Sequence, residues 1–399
     1  MCCAEVVNQK IRVAVITTSF PLNDMAVSGP FIMELVRHLP EDIDATVITP
    51  CGTGSSTRSI QSDGYQVRCF RYAPRRWQIL AHGLGGLPAA LRAKPLAWLL
   101  LIVFIPALFL ACLRAARMAD VIHANWSVTG VIAGLAGALT ATPCITTLRG
   151  TDIALSERSR VFRAVLKICA HLNQRLVAVG EGLRERAAEA LSRSASSITF
   201  IPNGVSTAFF QIAPPVAQPC LRLVTVGSLV PVKGIDTLLE ALALFDQAIN
   251  WQLTLIGDGP EREHLESDAR KHQIDGRICF VGALAPAAIP QALAKHEIFI
   301  LPSRSEGRSN ALIEALAAAR AVVASDIPAV SELVIDGKNG LIFPVDDALA
   351  LATQLCRLHE NPAMVARLGE AGRASVTGLS WKETGRRYAA LYRELIGGG

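Results

Sequence analysis

Apolar and polar positions along the chain fall into short β-branched runs, each followed by a longer segment with helical spacing. A first series of runs comprises Ile11–Thr17, Ala45–Thr49, Gln66–Phe70, Val121–Ala124, Cys144–Leu148 and Leu176–Val179. A second comprises Leu221–Val226, Leu253–Ile256, Ile278–Val281, Ile298–Leu301, Val322–Ala324 and Gly340–Phe343. Apolar strands alternating with helices predict parallel sheets covered on both faces, an α/β architecture. Between the series lie Ile201-Pro202-Asn203-Gly204-Val205 and the proline-rich stretch Ala213–Pro219, a linker by composition. The pattern predicts two Rossmann-like domains, residues 1–204 and 205–379, with a hinge near 205–220. Ligands of open α/β sheets bind beyond the carboxyl ends of the strands, so the cleft between the domains is the expected site.

One segment breaks this pattern. Leu96 to Leu113 is an 18-residue apolar run, flanked by Arg92 and Lys94 before it and by Arg114 and Arg117 after it. Its length reaches the lower limit for a membrane span. A span here would put consecutive parts of one sheet on opposite sides of a bilayer, so spanning is rejected. Two readings stay open: a helix fully buried in the core, or one partly buried and partly dipping into a membrane surface. In the second, its basic borders and Arg71-Tyr72-Ala73-Pro74-Arg75-Arg76-Trp77 lie near the headgroups.

Composition narrows the class. The chain has 399 residues, 51% of them hydrophobic and 18% charged, enough for two large cores. No secretory signal is expected at the N-terminus, and Cys2-Cys3 is a weak lipidation signal. The ten cysteines show no C-x-x-C pair and no metal-ligand spacing, which suits reduced thiols in a cytoplasmic protein. Residues 1–200 carry 21 Lys/Arg against 13 Asp/Glu, whereas the remainder carries 18 against 21. The basic first half suits an acidic partner. Nucleic acid is not expected, because no aromatic-interleaved basic motif is present.

The chemistry concentrates in Ser305-Glu306-Gly307-Arg308-Ser309-Asn310-Ala311-Leu312-Ile313-Glu314, which follows the strand Ile298–Leu301 and opens an alanine-rich helix. Free N–H groups at a helix start, with the helix dipole behind them, make an anion site. Either Ser309 or Asn310 suits the N-cap. Glu306 in the turn and Glu314 about a turn into the helix flank that site. Ionised carboxylates are pure acceptors, so they suit hydroxyls rather than phosphates. A ligand with phosphates in the middle and hydroxyls at both ends is a nucleotide sugar.

This segment resembles the E-x7-E motif of retaining glycosyltransferases of family 4, which have the GT-B fold, two Rossmann-like domains facing each other across a cleft. The resemblance spans nearly the whole chain. It implies that Glu306 contacts the donor sugar, that Glu314 holds the ribose, and that Gly307, Arg308, Ser309, Asn310 and Ala311 cradle phosphate. It also implies a terminal helix, about 380–399, that crosses back to complete the first domain. Gly29, in Ser28-Gly29-Pro30-Phe31, stands at the position of the family's glycine loop. In Val226-Gly227-Ser228-Leu229-Val230-Pro231-Val232-Lys233-Gly234, Lys233 matches a family cation, while Ser228 stands where Arg is usual. Gly257, in Ile256-Gly257-Asp258-Gly259-Pro260, matches a turn beside the nucleotide base. Arg149 replaces the family's His at the end of Cys144–Leu148, and Asn125 replaces the second His of H-x-H-W. Arginine cannot act as a base, yet it can grip a phosphate bidentately and supply the charge missing at Ser228. His123 is either a site residue or a satisfied core histidine.

No cofactor and no metal are expected. Asp42-Ile43-Asp44 has a metal-transferase spelling but sits in a surface connection, and no zinc-ligand spacing occurs. The resemblance implies sugar transfer with retention from a nucleotide diphosphate sugar, with Glu306, Lys233, Arg149 and His123 as catalytic candidates. The acceptor would be a saccharide or a lipid-linked molecule in polysaccharide or glycolipid synthesis. The enzyme would then be cytoplasmic and peripheral at the inner face of the cytoplasmic membrane, touching it through residues 96–113. Two alternatives stand beside this: a nucleotide-sugar hydrolase or epimerase of the same fold, and a catalytically silent nucleotide-sugar-binding partner of a polysaccharide assembly.

Overall fold

The computed structural model describes residues 10–22, 29–53, 59–62, 64–82, 87, 90–91, 96–216, 218–245 and 248–397. Cys2-Cys3, Arg92 and Lys94 lie outside these residues. Two sheets form, one from each series of apolar runs. The first contains β1 (Ile11–Ile16), β2 (Ile43–Pro50), β3 (Ser59–Ser62), β4 (Tyr65–Phe70), β5 (Val121–Asn125), β6 (Cys144–Leu148), β7 (Arg175–Ala178) and β8 (Ile198–Phe200). Its spatial order is β3-β4-β2-β1-β5-β6-β7-β8. The second contains β9 (Leu221–Val226), β10 (Trp251–Ile256), β11 (Ile278–Gly282), β12 (Ile298–Leu301), β13 (Ala321–Ser325) and β14 (Leu341–Phe343). Its order is β11-β10-β9-β12-β13-β14, with every pairing parallel.

The edge strands β3 and β8 were invisible to the apolar pattern. β3 reads Ser-Ile-Gln-Ser, and it pairs antiparallel with β4 from Ser59↔Arg68 to Ser62↔Tyr65. The connection is too short for a parallel crossover, so a hairpin results. A polar edge strand of four residues needs no apolar face, which is why periodicity misses it.

Strand order decides where the site is. In the first sheet the chain runs outward from β1 through β2 to β4, then returns to place β5 on β1's other side, paired Val13↔Val121. In the second, β12 returns to β9, paired Ile298↔Leu223. Each reversal opens a crevice at the carboxyl ends of the two central strands. Asn125 ends β5, and the loops that leave the other three of these strands carry Gly29, Lys233 and Glu306.

The chain crosses between the sheets twice, side by side. The Val205 N–H donates to the Leu379 carbonyl at 3.0 Å, and Val205 bridges Ser380. The helix Trp381–Gly397 then packs Trp381, Tyr388, Leu391 and Tyr392 into the first-domain core beside Val13, Ile32 and Val121. The hinge expected near 205–220 is corrected by this arrangement. Phe209 and Ile212 already belong to the second-domain core, and Arg320 and Arg373 donate to the carbonyls of Ala213 and Ile212. The crossing lies at Ile201–Val205, and the proline-rich stretch is a surface connection within the second domain.

The apolar run forms the helix Leu96–Ala116, with Pro106 inside it. One stripe, Ala97, Leu100, Phe104, Leu108, Cys112 and Ala116, packs on the sheet with Ile16, Ile48 and Ile122. These residues lie three to four apart, the spacing of a single helical face. Around the rest of the helix Trp98, Leu99, Ile102, Val103, Ile105 and Leu110 are exposed, Ile102 to 70%. The helix is therefore not the fully buried core element that one reading foresaw. Its two ends join strands of one sheet.

Candidate functional site

Lys233 ends a short 3-10 turn, Pro231–Lys233, after β9, and Glu306 lies in the loop after β12. The Lys233 ammonium donates to Glu306 Oε1 at 2.5 Å, and the buried Ser303 hydroxyl donates to the same oxygen at 2.8 Å. Ser303 is fixed in turn, because the Ser325 hydroxyl on β13 donates to its carbonyl at 2.5 Å. Both ionic groups are mostly shielded, with side-chain exposures of 24% and 11%. Gly227, Ser228, Lys233 and Ser303 line one small cavity at these strand ends. Gly257, after β10, is tied beside them: its N–H donates to Gly282, and the Gly227 N–H donates to Ile256, each at 2.9 Å.

Four residues past Glu306 a helix begins, Asn310–Ala317. The open choice of N-cap resolves to Ser309, whose hydroxyl accepts the Leu312 N–H at 3.3 Å. Among the described residues no hydrogen bond takes up the backbone N–H groups of residues 307–311. A row of free donors at a helix start is an arrangement that suits an anion. Glu314 sits one turn in, partly buried, and burial pushes its carboxyl up to about 8. Arg308 turns away from the row: its side chain is only 4% exposed and pairs with Glu332 at 3.5 Å.

The facing half of the cleft is built at the ends of β5 and β6. Arg149 donates through Nε and Nη2 to Asn125 Oδ1 at 3.1 and 2.8 Å, and through Nη1 to Asn203 Oδ1 at 2.9 Å. Its guanidinium also lies over the Phe31 ring, 4.6 Å from the centroid, on the helix that Gly29 opens. Three of its five N–H donors are thus used, which leaves two for a ligand. Burial pulls the Arg149 pKa down, against the pull of Tyr388, Asp152 and Tyr392, and an arginine so perturbed stays charged. Asp152, nearly buried, accepts the Arg149 N–H at 2.9 Å and the Ser127 N–H at 2.5 Å, so it sets both strand ends. Asn203 also donates to Asn310 Oδ1 at 3.0 Å, which links Arg149 to the start of the second-domain helix.

His123 is the one catalytic candidate that the structure removes from the cleft. It is fully buried, its Nδ1 bonded to the Tyr392 hydroxyl and its Nε2 to Thr147, each at 2.7 Å. Burial, with the Arg149 charge as second cause, pulls its pKa down to about 3. It is a neutral core histidine that ties the C-terminal helix to β5 and β6. Asn125, two residues on, is the strand-end group that reaches Arg149.

The halves meet at two glycines. A Cβ on Gly150 would lie 2.4 Å from Gly307 Cα, and one on Gly307 would lie 2.4 Å from the Arg149 carbonyl oxygen. Gly150 also has φ 104°, a conformation closed to most side chains. Any larger residue at either position would push the domains apart.

Residues 28–204 match a family described as Glycosyl transferase 4-like domain, and residues 220–361 match Glycosyl transferases group 1. The chain belongs to the group 1 glycosyltransferases. Among curated relatives, it is 27% identical to a glycosyltransferase of Methanocaldococcus jannaschii described as uncharacterized, over 69% of this chain and 76% of that one. It is 28% identical to the phosphatidyl-myo-inositol mannosyltransferase of Mycobacterium tuberculosis, over 70% and 75%. In fold it is similar to the sucrose-phosphate synthase of Thermosynechococcus elongatus, with a TM-score of 0.77, 22% identity and coverage of 98% and 100%. It is also similar to Anabaena HepE in complex with UDP-glucose, with a TM-score of 0.73, 16% identity and coverage of 96% and 99%. The two facing parallel-sheet domains are the GT-B fold.

Within this glycosyltransferase Gly227, Ser228, Lys233 and Glu306 come together at the carboxyl ends of β9 and β12, whereas the Arg308 side chain turns to Glu332. Asp152, Asn203, Ser303 and Glu332 were not foreseen. Each is a common polar residue, and two of them matter through partners far away in sequence: the Asn203–Asn310 contact spans 107 residues and the Glu332–Glu181 contact 151. Only the Asn203 signal was present in advance, inside the Ile201–Val205 crossing.

Proposed function

We propose that this glycosyltransferase moves a sugar from a nucleotide diphosphate sugar to a saccharide or lipid-linked acceptor with retention at the anomeric carbon. The observation that carries this is the convergence of Lys233, Glu306 and the unpartnered N–H groups of residues 307–311 opposite Arg149. The N–H row and Lys233 hold the diphosphate, and Arg149 adds charge from the first domain. Fixed donors in a shielded cleft stabilise a leaving diphosphate without reorganisation. Glu306 accepts from the sugar hydroxyls, and Glu314 accepts from the ribose. In the reaction the bond from the anomeric carbon to phosphate oxygen breaks and a bond to the acceptor oxygen forms on the same face. The acceptor's proton passes to the leaving phosphate. Asp152 is not the base, because both of its oxygens are taken by backbone N–H groups.

The test is nucleotide release from a panel of nucleotide sugars, starting with UDP-glucose, with and without saccharide and lipid-linked acceptors. Release that depends on acceptor, with an unchanged anomeric configuration by NMR, supports transfer with retention. Equal release without acceptor indicates a hydrolase, and sugar interconversion an epimerase. Tight binding with no consumption indicates a silent partner.

The same reading places the first domain against the inner face of the cytoplasmic membrane. The exposed face of Leu96–Ala116 continues across Leu135 and Leu139 of the neighbouring helix Ser127–Thr140 and Val161 and Ile168 of Arg160–Leu172. Exposed cations occur in or next to these elements: Arg114 in the first helix, Arg117 just after it, Arg163 and Lys167 in the third, and Arg75 and Arg76 in the 3-10 turn Arg75–Trp77. Each basic residue near an anionic surface contributes about 1 kcal/mol, fading within about 8 Å at physiological salt. Sedimentation with anionic vesicles should therefore capture the protein at low salt and release much of it at high salt. Replacing Arg75, Arg76 and Arg114 by Ser should weaken capture without changing nucleotide binding. Failure to bind anionic vesicles at low salt would make the acceptor a soluble saccharide.

A further inference from the structure

Glu332 follows the short helix Pro328–Ser331 of the second domain, yet its carboxylate makes its strongest contacts in the first. Oε2 accepts the Glu181 N–H at 2.9 Å, and Oε1 accepts the Gly182 N–H at 2.6 Å. These residues open the helix Glu181–Leu191, whose first N–H groups have no partner within the helix and whose dipole favours a carboxylate. On its own side Glu332 pairs with Arg308 at 3.5 Å. Arg308 is the neighbour of Gly307 in the anion cradle, and its buried Nε has no acceptor among the described residues.

The first domain leaves room for this carboxylate by lacking side chains. A Cβ on Gly180 would lie 3.1 Å from the Gly307 carbonyl oxygen and 3.3 Å from Glu332 Oε2. A Cβ on Gly182 would lie 3.1 Å from Glu332 Oε1. The seat therefore joins three things: the helix start of one domain, the carboxylate of the other, and the turn that begins the donor cradle. If the domains parted, Glu332 would lose both N–H partners and keep only Arg308.

We propose that Glu332 is a positioning residue of the transfer reaction: it seats the Gly307–Arg308 turn on the first domain and holds the two domains closed around the donor. The kinetic part rests on the function proposed above, whereas the closure does not. Glu332→Gln keeps the shape but sets an amide NH2 against one N–H donor and Arg308. Gly182→Ala disturbs the seat from the first domain without touching the donor side. Both variants should melt near the parent temperature. In small-angle scattering without nucleotide each should show a larger radius of gyration than the parent. In turnover each should raise the donor KM and lower kcat/KM at least about fivefold, the lower end of usual site-to-site coupling. The double variant should be no worse than the more impaired single, because both changes break one contact. Parental scattering together with parental donor KM in Glu332→Gln, or additive losses in the double variant, would overturn the proposal. If no donor is turned over at all, the scattering result still decides closure, and the transfer reading fails separately.

Discussion

Glu306→Gln is expected to lower kcat about 10²–10³-fold, roughly 2.7–4 kcal/mol, the usual cost of deleting one preorganised contact to the transition state. The carboxylate is held by Lys233 at 2.5 Å and by Ser303 at 2.8 Å, so its position is set before substrate arrives. Glutamine keeps the volume and one acceptor oxygen but removes the charge. Two effects then add. The sugar loses a charged acceptor, and Lys233 loses the counter-charge that directs it toward the diphosphate. The pair is only partly exposed, so water replaces neither contact well. The fold should survive, because the core beneath is independent of this loop. Thermal melting checks that, and steady-state turnover with the preferred donor checks the rate. Turnover within about threefold of the parent in a folded variant would end the claim that Glu306 orients the sugar.

The second large effect concerns pH and Glu314. Burial raises this carboxyl from 4.5 to about 8, so the folded protein holds a proton there that the unfolded chain has released. Stability from this group is present below the unfolded value and is lost as pH rises from about 4.5 to 8. Nucleotide binding should run the other way. Ribose hydroxyls donate to an ionised carboxylate, so affinity should rise up to about tenfold per pH unit and level off above about 8. Near pH 7 binding should release close to one proton. Calorimetry in buffers of different ionisation enthalpy measures that release directly. Glu314→Gln should flatten the pH profile, and Glu314→Ala should cost about 1.5–3 kcal/mol of nucleotide affinity at high pH. An affinity that does not change between pH 6 and 8 would show that Glu314 does not meet the nucleotide in its ionised form.

Much of the second domain was legible in advance because its information is local. Leu221–Val226 and Ile298–Leu301 are apolar runs whose periodicity marks buried strands wherever they lie, and both form as expected. The spacing of Glu306, Ser309 and Glu314 was readable for the same reason: a turn, a cap and a helix need only neighbouring residues. The helix Trp381–Gly397 packs its apolar face into the first-domain core, which a local reading of its own spacing allows.

The first domain's share of the site was another matter. Nothing local distinguishes His123 from a cleft residue. Tyr392, 269 positions away, makes it a core group, and the same packing leaves Arg149 to Asn125 and Asn203. The proline-rich stretch signalled a loop correctly but not a domain boundary, because Phe209 and Ile212 join the second core before it. The apolar run 96–113 announced a helix, yet only packing showed that one narrow stripe meets the sheet and the rest faces outward. Glu332 carried no signal at all, since its meaning depends on the N–H groups of Glu181 and Gly182, 151 and 150 residues earlier. Sequence by itself determined the central strands and the turn, cap and helix that carry Glu306, Ser309 and Glu314, because backbone propensity, periodicity and capping act within a few residues. Tertiary structure alone decided which polar groups are consumed by the core and which face the cleft, because burial and hydrogen-bond partnership are set by residues distant along the chain.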